Sequence, residues 1–551
     1  MWDRATVAGS ALVWLLDLDV GGYVLRVASL ECDVPQQDGS TVAYRGGLVV
    51  GDWSDGIDLF TVSPAARQIP MEVRLDGDVE AWQTLARQGH RLATATATVS
   101  VWPEGGTVDD VRVVLRGCVD EPEHGGAEEP VRLSVVEDAV DATGLIPEAD
   151  ARVIDWPSPS DPRPTTWDGC RFSGNPDHVG ERYPIVIGRP GRGTAASGDS
   201  LDSVQALAVH NDAAATVNYG LLIAGHTVVG TQVTIYDADD DVSEALTVVE
   251  MGDDLGRRVA VVSLAAAASL TWDPDHAYWV RWTQSGGLAG HDGSEMTGAG
   301  QVLRWMLERS QAQIDRGRLA AAIPILDGYR IDAVVVATPE ARIRPLDWVR
   351  EHLSPILPIS MRRGPEGLYP VVWRYDAAST DAVAVLDADA ARAVRTSPLS
   401  WTSVRDCYAE VEVWHRRDHR TQTYTSRVLL SGNPQARARD DTAVPHALLR
   451  ASWIDGVRRR LELRSDVVAD DATAGRSAAW LAQRYALPTR GVAYTVEWSE
   501  VSHVEPGDVV IVRDAEVGIS EEVAVVQAVT LAETGATIRV RLLERPGGRR
   551  S

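Results

Sequence analysis

The sequence predicts a mainly β protein with an α+β insert, a multidomain chain that carries β-barrel-like domains at its two ends. Three observations lead to this prediction. The chain has 551 residues, whereas single hydrophobic cores stop growing at roughly 250 to 300 residues. Most of it consists of short runs of alternating apolar and polar residues, separated by Gly, Pro and Asp, which is the pattern of strands joined by turns. Helical spacing is confined to a few segments.

Residues 1–153 are predicted to form the first β-barrel-like domain. Its predicted strands lie at residues 24–27, 71–75, 93–102 and 111–115, where apolar residues alternate with polar ones. Residues 81–88 are its one predicted helix, and residues 44–48 and 89–91 are predicted turns. The stretch 154–164 that follows is rich in Pro, Ser and Asp, which is the composition of a linker.

Residues 165–290 are predicted to form a second β-rich domain. Its predicted strands lie at residues 182–190, 220–224, 231–236, 259–264 and 278–282. The acidic run 237–241 lies between two of them. A calcium loop of the EF-hand type requires Gly at its sixth position and Glu at its twelfth, where this chain has Val242 and Val248. We therefore interpret the run as the tip of an acidic hairpin.

Residues 296–395 are predicted to form the α+β domain. A glycine-rich stretch at 286–300 marks its start, and residues 299–313 have the strongest helical spacing of the chain. A strand is predicted at 330–336. A second helix at 345–353 opens with a proline at its first position and leads to strands at 355–360 and 367–373.

Residues 396–551 are predicted to form the closing β-barrel-like domain with one capping helix. It opens with a hairpin whose predicted strands, 404–414 and 421–430, flank a turn that contains His415 and His419. Two histidines four residues apart lie close together on one face of a helix, whereas these two are predicted to lie in a hairpin turn, so we predict no metal site there. The polar loop 431–445 follows, and then a turn and short strand at 455–463.

The end of this domain gives the clearest local signals. Asp470 and Asp471 precede a helix over residues 474–485. A strand with period-two alternation follows over 492–498, and the sequence Pro506-Gly507-Asp508 then forms a turn that opens a further apolar strand.

The composition limits the class of protein. A formal net charge of −26 and a pI near 4.9 argue against affinity for nucleic acid or anionic membranes. No segment approaches the roughly 20 apolar residues of a membrane helix. Residues 1–150 carry 26 acidic and 10 arginine residues, whereas residues 401–551 carry 21 of each. Surfaces of such different character suit a protein with several neighbours.

Catalytic and ligand-binding motifs are missing from the sequence. It contains no GxSxG, HExxH, P-loop or GxGxxG pattern. Residues 188–193 are glycine-rich but lack the Lys-Ser/Thr pair of a phosphate loop. The four cysteines, Cys32, Cys118, Cys170 and Cys407, lie far apart, which predicts reduced, buried thiols with neither a zinc site nor a disulfide framework. We predict no enzyme, no catalytic, cofactor-binding or metal-binding residue and no cofactor.

Three motifs carry a resemblance to a known family. The helix, strand and Pro-Gly-Asp turn at residues 470–512, the segment Arg182-Tyr183-Pro184-Ile185-Val186-Ile187-Gly188-Arg189, and the segment Gly367-Leu368-Tyr369-Pro370 within the α+β region resemble the tail hub proteins of tailed phages. This family, also called baseplate hub or tail tip hub, is found in gene transfer agents as well. The resemblance covers most of the chain and lies in architecture more than in sequence identity.

The resemblance implies a structural virion protein at the tail tip, assembled in the host cytoplasm. It implies a homotrimer whose two barrel domains per subunit form a pseudo-sixfold ring, closing the tail tube and opening for genome ejection, as in a siphophage. Its implied neighbours are the distal tail protein or tail tube ring, the tape-measure protein, and tip or fibre proteins. DNA would pass through the lumen without specific binding.

Two other classes of function stay open at this point. An extracellular carbohydrate-binding or adhesin protein would also be β-rich, acidic and rich in tryptophan, and exposure of Trp272, Trp279 and Trp282 on one face would favour it. A cell-wall hydrolase of a tail tip would require an activated nucleophile or a carboxylate pair in a cleft.

Overall fold

The architecture was analysed in a computed structural model. It describes residues 12–51, 53–56, 68–74, 88–89, 91–124, 130–137, 143–153, 173–174, 178, 180–192, 201–211, 218–252, 257–271, 273, 275–283, 286–290, 292–501, 503–532 and 535–543. The predicted helix at 81–88, the linker at 154–164, His90, Cys170 and Trp272 lie outside these residues.

The chain is mainly β and multidomain, with curled, barrel-like sheets, as predicted. The first ten strands are β1 Leu12–Val20, β2 Tyr23–Ala28, β3 Cys32–Pro35, β4 Thr41–Gly46, β5 Leu48–Val50, β6 Trp53–Gly56, β7 Gln68–Val73, β8 Thr96–Pro103, β9 Arg112–His124 and β10 Val131–Glu137. The middle of the chain contains β11 Ser173–Gly174, β12 Ile185–Ile187, β13 Val204–Gln205, β14 Leu207–Asn211, β15 Asn218–Ala224, β16 Gln232–Asp237, β17 Val242–Gly252, β18 Arg258–Ser263, β19 Tyr278–Trp282, α1 Ala299–Arg309, α2 Arg316–Leu326, β20 Ala333–Val335 and α3 Pro345–Trp348, which continues as a π-helix over Val349–Leu353.

The last part of the chain contains β21 Ile359–Gly364, β22 Gly367–Val372, β23 Ala384–Asp387, β24 Ala393–Arg395, β25 Ser400–Trp401, β26 Glu410–Asp418, β27 Thr423–Ser431, α4 Ala436–Arg439, β28 Val444–Pro445, α5 Ala447–Ile454, β29 Arg460–Arg464, α6 Asp471–Tyr485, β30 Arg490–Val496, α7 Trp498–Val501, β31 Val509–Asp514, β32 Ile519–Ala532 and β33 Gly535–Leu542. Short 3-10 turns lie at Leu92–Thr94, Val108–Asp110, Leu264–Ala266, Ser379–Asp381, Val404–Asp406 and Ala515–Val517.

The chain divides into two compact units, each built from separate segments. Unit 1 consists of Met1–Asp141, Ile359–Asp406 and Pro488–Ser551, and unit 2 of Ala142–Pro358 and Cys407–Leu487. A division by spatial contact does not test a division into domains, so the four predicted domains, 1–153, 165–290, 296–395 and 396–551, stay a prediction.

The amino-terminal part of unit 1 is a nine-stranded sheet in the order β3-β4-β2-β1-β8-β9-β10-β7-β5. It curls, because its edge strand β5 comes to lie against the central strand β1. Strand β1 is buried on both faces. Leu16 and Leu18 point into the main core, whereas Val13 and Leu15 pack in a smaller cluster with Tyr44.

The carboxy-terminal part of unit 1 is a sheet in the order β23-β31-β32-β33-β30-β24. Its two edge strands, β23 and β24, are joined by the short turn 388–392, in which the N–H of Arg392 donates to the carbonyl of Asp387 at 3.0 Å. A turn this short holds the two edges near each other, so the sheet curls towards closure. Strand β6, from the amino-terminal segment, pairs with β32.

The two curled sheets of unit 1 share one hydrophobic core. The same cluster of buried side chains contains Leu16 and Ile69 of the amino-terminal sheet and Tyr494, Val510 and Ile538 of the carboxy-terminal sheet. At about 25 cal/mol per Å² of apolar surface, a core of this kind dominates the stability of the unit. The first and last parts of the chain therefore fold as one body.

Unit 2 combines an eight-stranded sheet, a four-stranded sheet and helices. The eight-stranded order is β11-β14-β15-β18-β17-β16-β19-β13, and the four-stranded order is β28-β27-β26-β29. Helix α1 buries Val302, Leu303, Met306 and Leu307, which are the positions that helical spacing predicted. Helix α6 packs on β26 and β27. Its N-cap is Asp470, whose side chain accepts from the N–H of Thr473 at 2.9 Å.

The structure corrects several local predictions. The predicted strand over 492–498 ends at Val496, which pairs with Ala536 next to the first residue of β33, so its ladder has no partner further on. The predicted turn at 44–48 is mostly strand, with Gly47 at φ 122° as the single connecting residue. Helix α2, whose N-cap is Asp315, was not predicted.

Candidate functional site

The Pro-Gly-Asp turn connects three parts of unit 1. Glu505, one residue before Pro506, accepts from Arg112 of β9 at 2.9 Å and from Arg362 of β21 at 3.0 Å. The Arg362 side chain is only 7% exposed, against 21% for Glu505 and 31% for Arg112. One carboxylate thus joins the amino-terminal sheet, the β21-β22 hairpin and the carboxy-terminal sheet.

The local sequence holds Glu505 in place. Asp508 accepts from the N–H of Glu505 at 2.8 Å, which is the turn chemistry that aspartate favours. Gly507 has φ 98°, a conformation that residues with a side chain rarely adopt, and its N–H donates to the carbonyl of Val526 on β32 at 2.8 Å. The turn is therefore fixed to the sheet on one side and presents its carboxylate on the other.

The ion pairs of Glu505 hold β9 and β21 against the turn that precedes β31. A carboxylate between two guanidinium groups accepts charge-assisted hydrogen bonds from their N–H donors. Sequence reasoning predicted the turn but missed the function of Glu505. Its partners lie 393 and 143 residues away, and no local signal connects residues at that separation.

A second buried polar group lies where the carboxy-terminal sheet curls. Asp514 at the end of β31 is 2% exposed. It accepts from the hydroxyl of Tyr494 on β30 at 3.1 Å, and its other contact is the guanidinium of Arg395 on β24 at 3.5 Å. Burial raises the pKa of the Tyr494 hydroxyl above its usual range, so it stays a hydrogen-bond donor. These contacts link strands from both sides of the curled sheet.

The glycine-rich run at 188–193 binds an internal carboxylate. Gly188 has φ 60°, and the N–H of Arg189 donates to Asp332 at 2.7 Å. Asp332 is 1% exposed and also accepts from Arg330 at 2.9 Å. A carboxylate of the protein thus accepts the Arg189 N–H of this run, and the absence of a phosphate site stays a prediction.

The acidic run at 237–241 forms the turn between β16 and β17, as predicted. Asp237, Asp239 and His276 are a set that the described residues bring close enough to hold a metal ion. Their atoms already bond to one another and to the backbone. His276 lies 2.9 Å from Asp237, and Asp239 accepts from the N–H of Ala277 at 2.9 Å. The hydrogen bond to Asp237 raises the pKa of the His276 ring.

The predicted histidine turn was placed wrongly. His415 lies inside β26, fully buried, with its Nε2 3.3 Å from a carboxylate oxygen of Asp471 at the start of α6. Burial lowers its pKa. The turn itself spans 419–422, where the N–H of His419 donates to the carbonyl of Asp202 at 2.9 Å. The two histidines do not converge, because strand β26 extends further than its polar sequence indicated.

Asp202 anchors this turn to the eight-stranded sheet of unit 2. Its side chain is 1% exposed and accepts from Arg420 at 2.7 Å and from Arg281 at 2.6 Å. Both guanidinium groups lie over the ring of Tyr236, at 5.4 Å and 4.1 Å from its centroid. The hairpin is thereby fixed as part of unit 2.

The aromatic and cysteine positions also have defined places. Trp282 is 1% exposed within the core of unit 2, and Trp279 on the opposite face of the same strand is partly buried. These two rings do not form the exposed face that a sugar-binding surface would need. Cys32, Cys118 and Cys407 form no disulfide, and Cys407 is buried as predicted, whereas Cys32 and Cys118 are only partly buried.

Similarity to known proteins is found among solved structures. No family model and no curated protein matches the chain. Among solved structures, the tail protein from Neisseria meningitidis MC58 matches with TM-score 0.37 and 11% identity, covering 96% of both chains. The 43 kDa tail protein of prophage MuSo2 from Shewanella oneidensis matches with TM-score 0.34 and 10% identity, covering 97% of this chain and 98% of that one.

A third match is a chain of the virion of a native gene transfer agent particle. It has TM-score 0.18 and 16% identity, and the alignment covers 47% of this chain and 82% of that one. The structural neighbours are thus tail proteins and a gene transfer agent virion. Scores below 0.5 do not establish a common fold, and no statement about function follows from them.

The helices were also compared with the length that a bilayer requires. Across the residues that the structure describes, no helix is both long and apolar enough to span a membrane.

Proposed function

We propose that this chain is the tail hub of a tailed phage or of a related particle such as a gene transfer agent. The observation that carries the proposal is the shared core of unit 1, in which curled sheets from the two ends of the chain pack together. One subunit then offers two barrel-like bodies side by side. Three subunits would supply six.

Six similar bodies from three chains would adapt the sixfold tail tube to a threefold tip. The Glu505 junction supports this role, because a ring of alternating bodies needs a fixed angle between the two bodies of each subunit. Its ion pairs with Arg112 and Arg362 provide such a fixed connection. The ring would close the tube before infection and open for the genome at ejection.

The charge of the protein suits a conduit for DNA. With a net charge of −26, the lumen of such a ring would repel the phosphate backbone and let DNA pass without specific binding. The neighbours would be the distal tail protein or tail tube ring, the tape-measure protein, and tip or fibre proteins. The protein would be assembled in the host cytoplasm and end at the tail tip.

Mass photometry of the full chain over a concentration series tests this proposal, followed by electron microscopy of the assembled fraction. We expect a ring-shaped particle of three times the 59.6 kDa chain mass. A monomer that persists at tens of micromolar, or a particle without threefold symmetry, would contradict it. Turnover of purified peptidoglycan by the same preparation would instead support a cell-wall hydrolase.

A further inference from the structure

A cavity of about 420 Å³ lies at the amino end of α5 in unit 2. It is formed by the segment between β27 and α5, which the sequence presented as a polar loop and the structure shows to contain α4 and β28. Its walls include Pro434, Ala436 and Pro445, and its charged lining residues are Arg437 and Arg450. The residues that line it, all of them described, include no aspartate or glutamate.

The two arginines are oriented without being neutralised. Arg437 donates through Nε to the carbonyl of Ala443 at 3.1 Å, and Arg450 donates through Nη1 to the carbonyl of Gly432 at 3.3 Å. These bonds leave further N–H groups on each guanidinium. Within the described residues, neither guanidinium has a carboxylate at ion-pair distance.

The charged side chains next to the cavity are paired with other residues. Asp440, which directly follows α4, is engaged by Arg427 and by the hydroxyl of Thr442. Arg427 also pairs with Glu412 at 2.8 Å. In a chain with 79 acidic and 53 basic residues, a pair of arginines in one cavity without an acidic partner is a local excess of positive charge.

The backbone and a histidine add donors to the same cavity. The first turn of any helix leaves N–H groups without helical partners, and the N-cap residue of α5, His446, provides no side-chain hydrogen bond to them. Helix amino ends favour anions for this reason. His446 lines the cavity with its Nδ1 buried and unpaired. Burial lowers its pKa, so the ring is neutral near pH 7 and carries one N–H donor.

We propose that this cavity binds a small organic phosphate monoester, with the phosphate between Arg437 and Arg450. A phosphate monoester carries about −1.5 to −2 charges at neutral pH, which matches two guanidinium groups, whereas a carboxylate supplies one. The volume lies within the range of roughly 300 to 1,000 Å³ typical of small-molecule sites and exceeds what inorganic phosphate needs. The proline and alanine walls suit an apolar organic part.

Isothermal titration calorimetry of the full chain with phenyl phosphate tests the proposal. We expect saturable binding with one site per chain, about 10-fold weaker in Arg437→Gln and in Arg450→Gln, and not measurable in the double variant. The matched control is Arg439→Gln, on the same short helix but outside the cavity lining, which should bind as the unchanged chain does. Both lining arginines are exposed, so these variants should fold, and far-UV circular dichroism checks this.

Three further ligands separate the contribution of the phosphate group to binding from that of the organic part. Phenol should not bind. Inorganic phosphate should bind about 10-fold more weakly than phenyl phosphate, and benzoate should also bind more weakly than phenyl phosphate. The proposal is overturned if phenyl phosphate shows no saturable binding, if the double variant binds as tightly as the unchanged chain, or if phenol binds equally well. Equal affinity for inorganic phosphate would overturn the assignment of an organic ligand.

Discussion

Replacing Glu505 by glutamine tests whether the Pro-Gly-Asp turn holds the two curled sheets of unit 1 together. The substitution keeps the volume of the side chain and one acceptor oxygen but removes the charge. Arg362, whose side chain is 7% exposed, then loses its ion pair with Glu505. Arg112 loses the same partner at the surface of β9.

The expected loss follows from the burial of each pair. Breaking a buried ion pair by removing one partner costs about 3 to 5 kcal/mol, whereas an exposed pair is worth about 0 to 1 kcal/mol. The pair of Glu505 with Arg362 is close to a buried ion pair. The pair with Arg112, whose side chain is 31% exposed, is close to an exposed one. Since Glu505 itself is 21% exposed, water relieves part of the cost, and we expect unit 1 to lose about 2 to 3 kcal/mol.

Urea denaturation combined with hydrogen exchange read by mass spectrometry measures this loss in β9 and β31. The matched control is Glu366→Gln, which breaks the exposed pair with Arg116, where the side chains are 69% and 50% exposed and 3.9 Å apart. That control should change the free energy of unfolding by less than about 0.5 kcal/mol. The reasoning is refuted if Glu505→Gln costs no more than Glu366→Gln, or if the loss in β9 and β31 is no larger than in unit 2.

Further predictions concern packing, a buried hydroxyl and pH. A Cβ at Gly432 would clash with the backbone carbonyl oxygen of Leu449 in α5, so Gly432→Ala should destabilise unit 2 by about 2 to 3 kcal/mol in urea. A Cβ at Gly475 inside α6 would have no atom within 4 Å, so Gly475→Ala should stabilise unit 2 by about 0.5 to 1 kcal/mol. The same change in stability for Gly432→Ala and Gly475→Ala would contradict this. Tyr494→Phe removes the donor to Asp514, which is 2% exposed, and should cost unit 1 about 1 to 2 kcal/mol; a neutral result would show that the bond contributes nothing. Burial lowers the pKa of His226 to about 4, below its value in the unfolded chain. The unfolded chain therefore binds the proton first as the pH falls. The folded state should keep its full stability above pH 6.5 and lose roughly 3 kcal/mol as the pH falls towards 4. Unfolding at several pH values should show a smaller loss on acidification in His226→Gln, and an unchanged pH dependence would contradict the assignment.

Local patterns predicted much of the secondary structure. The spacing of Val302 and Met306 predicted α1, and Asp470 signalled the start of α6. Helix α2 was missed, because Pro324 lies inside it and proline in a sequence argues against a helix interior. Its packing on α1 offsets that local cost.

The candidate site was predictable in part. Pro506, Gly507 and Asp508 indicated a turn by themselves, since each residue restricts or permits a particular backbone conformation. That Glu505 joins Arg112 and Arg362 could not be predicted, because ion pairs leave no periodic trace in a sequence. His415 was misplaced for a related reason, since polar residues around it concealed a buried strand position.

By itself the sequence determined a β-rich chain, the helices α1, α3 and α6, and the turn at Pro506-Gly507-Asp508. These properties depend on neighbouring residues, whose spacing of two or 3.6 sets which side chains share a face. Only the tertiary structure decided that the first and last parts of the chain fold as one body with a common core. Alternation shows that a face must be covered but carries no information on what covers it, because burial of apolar surface is non-directional and any complementary face satisfies it.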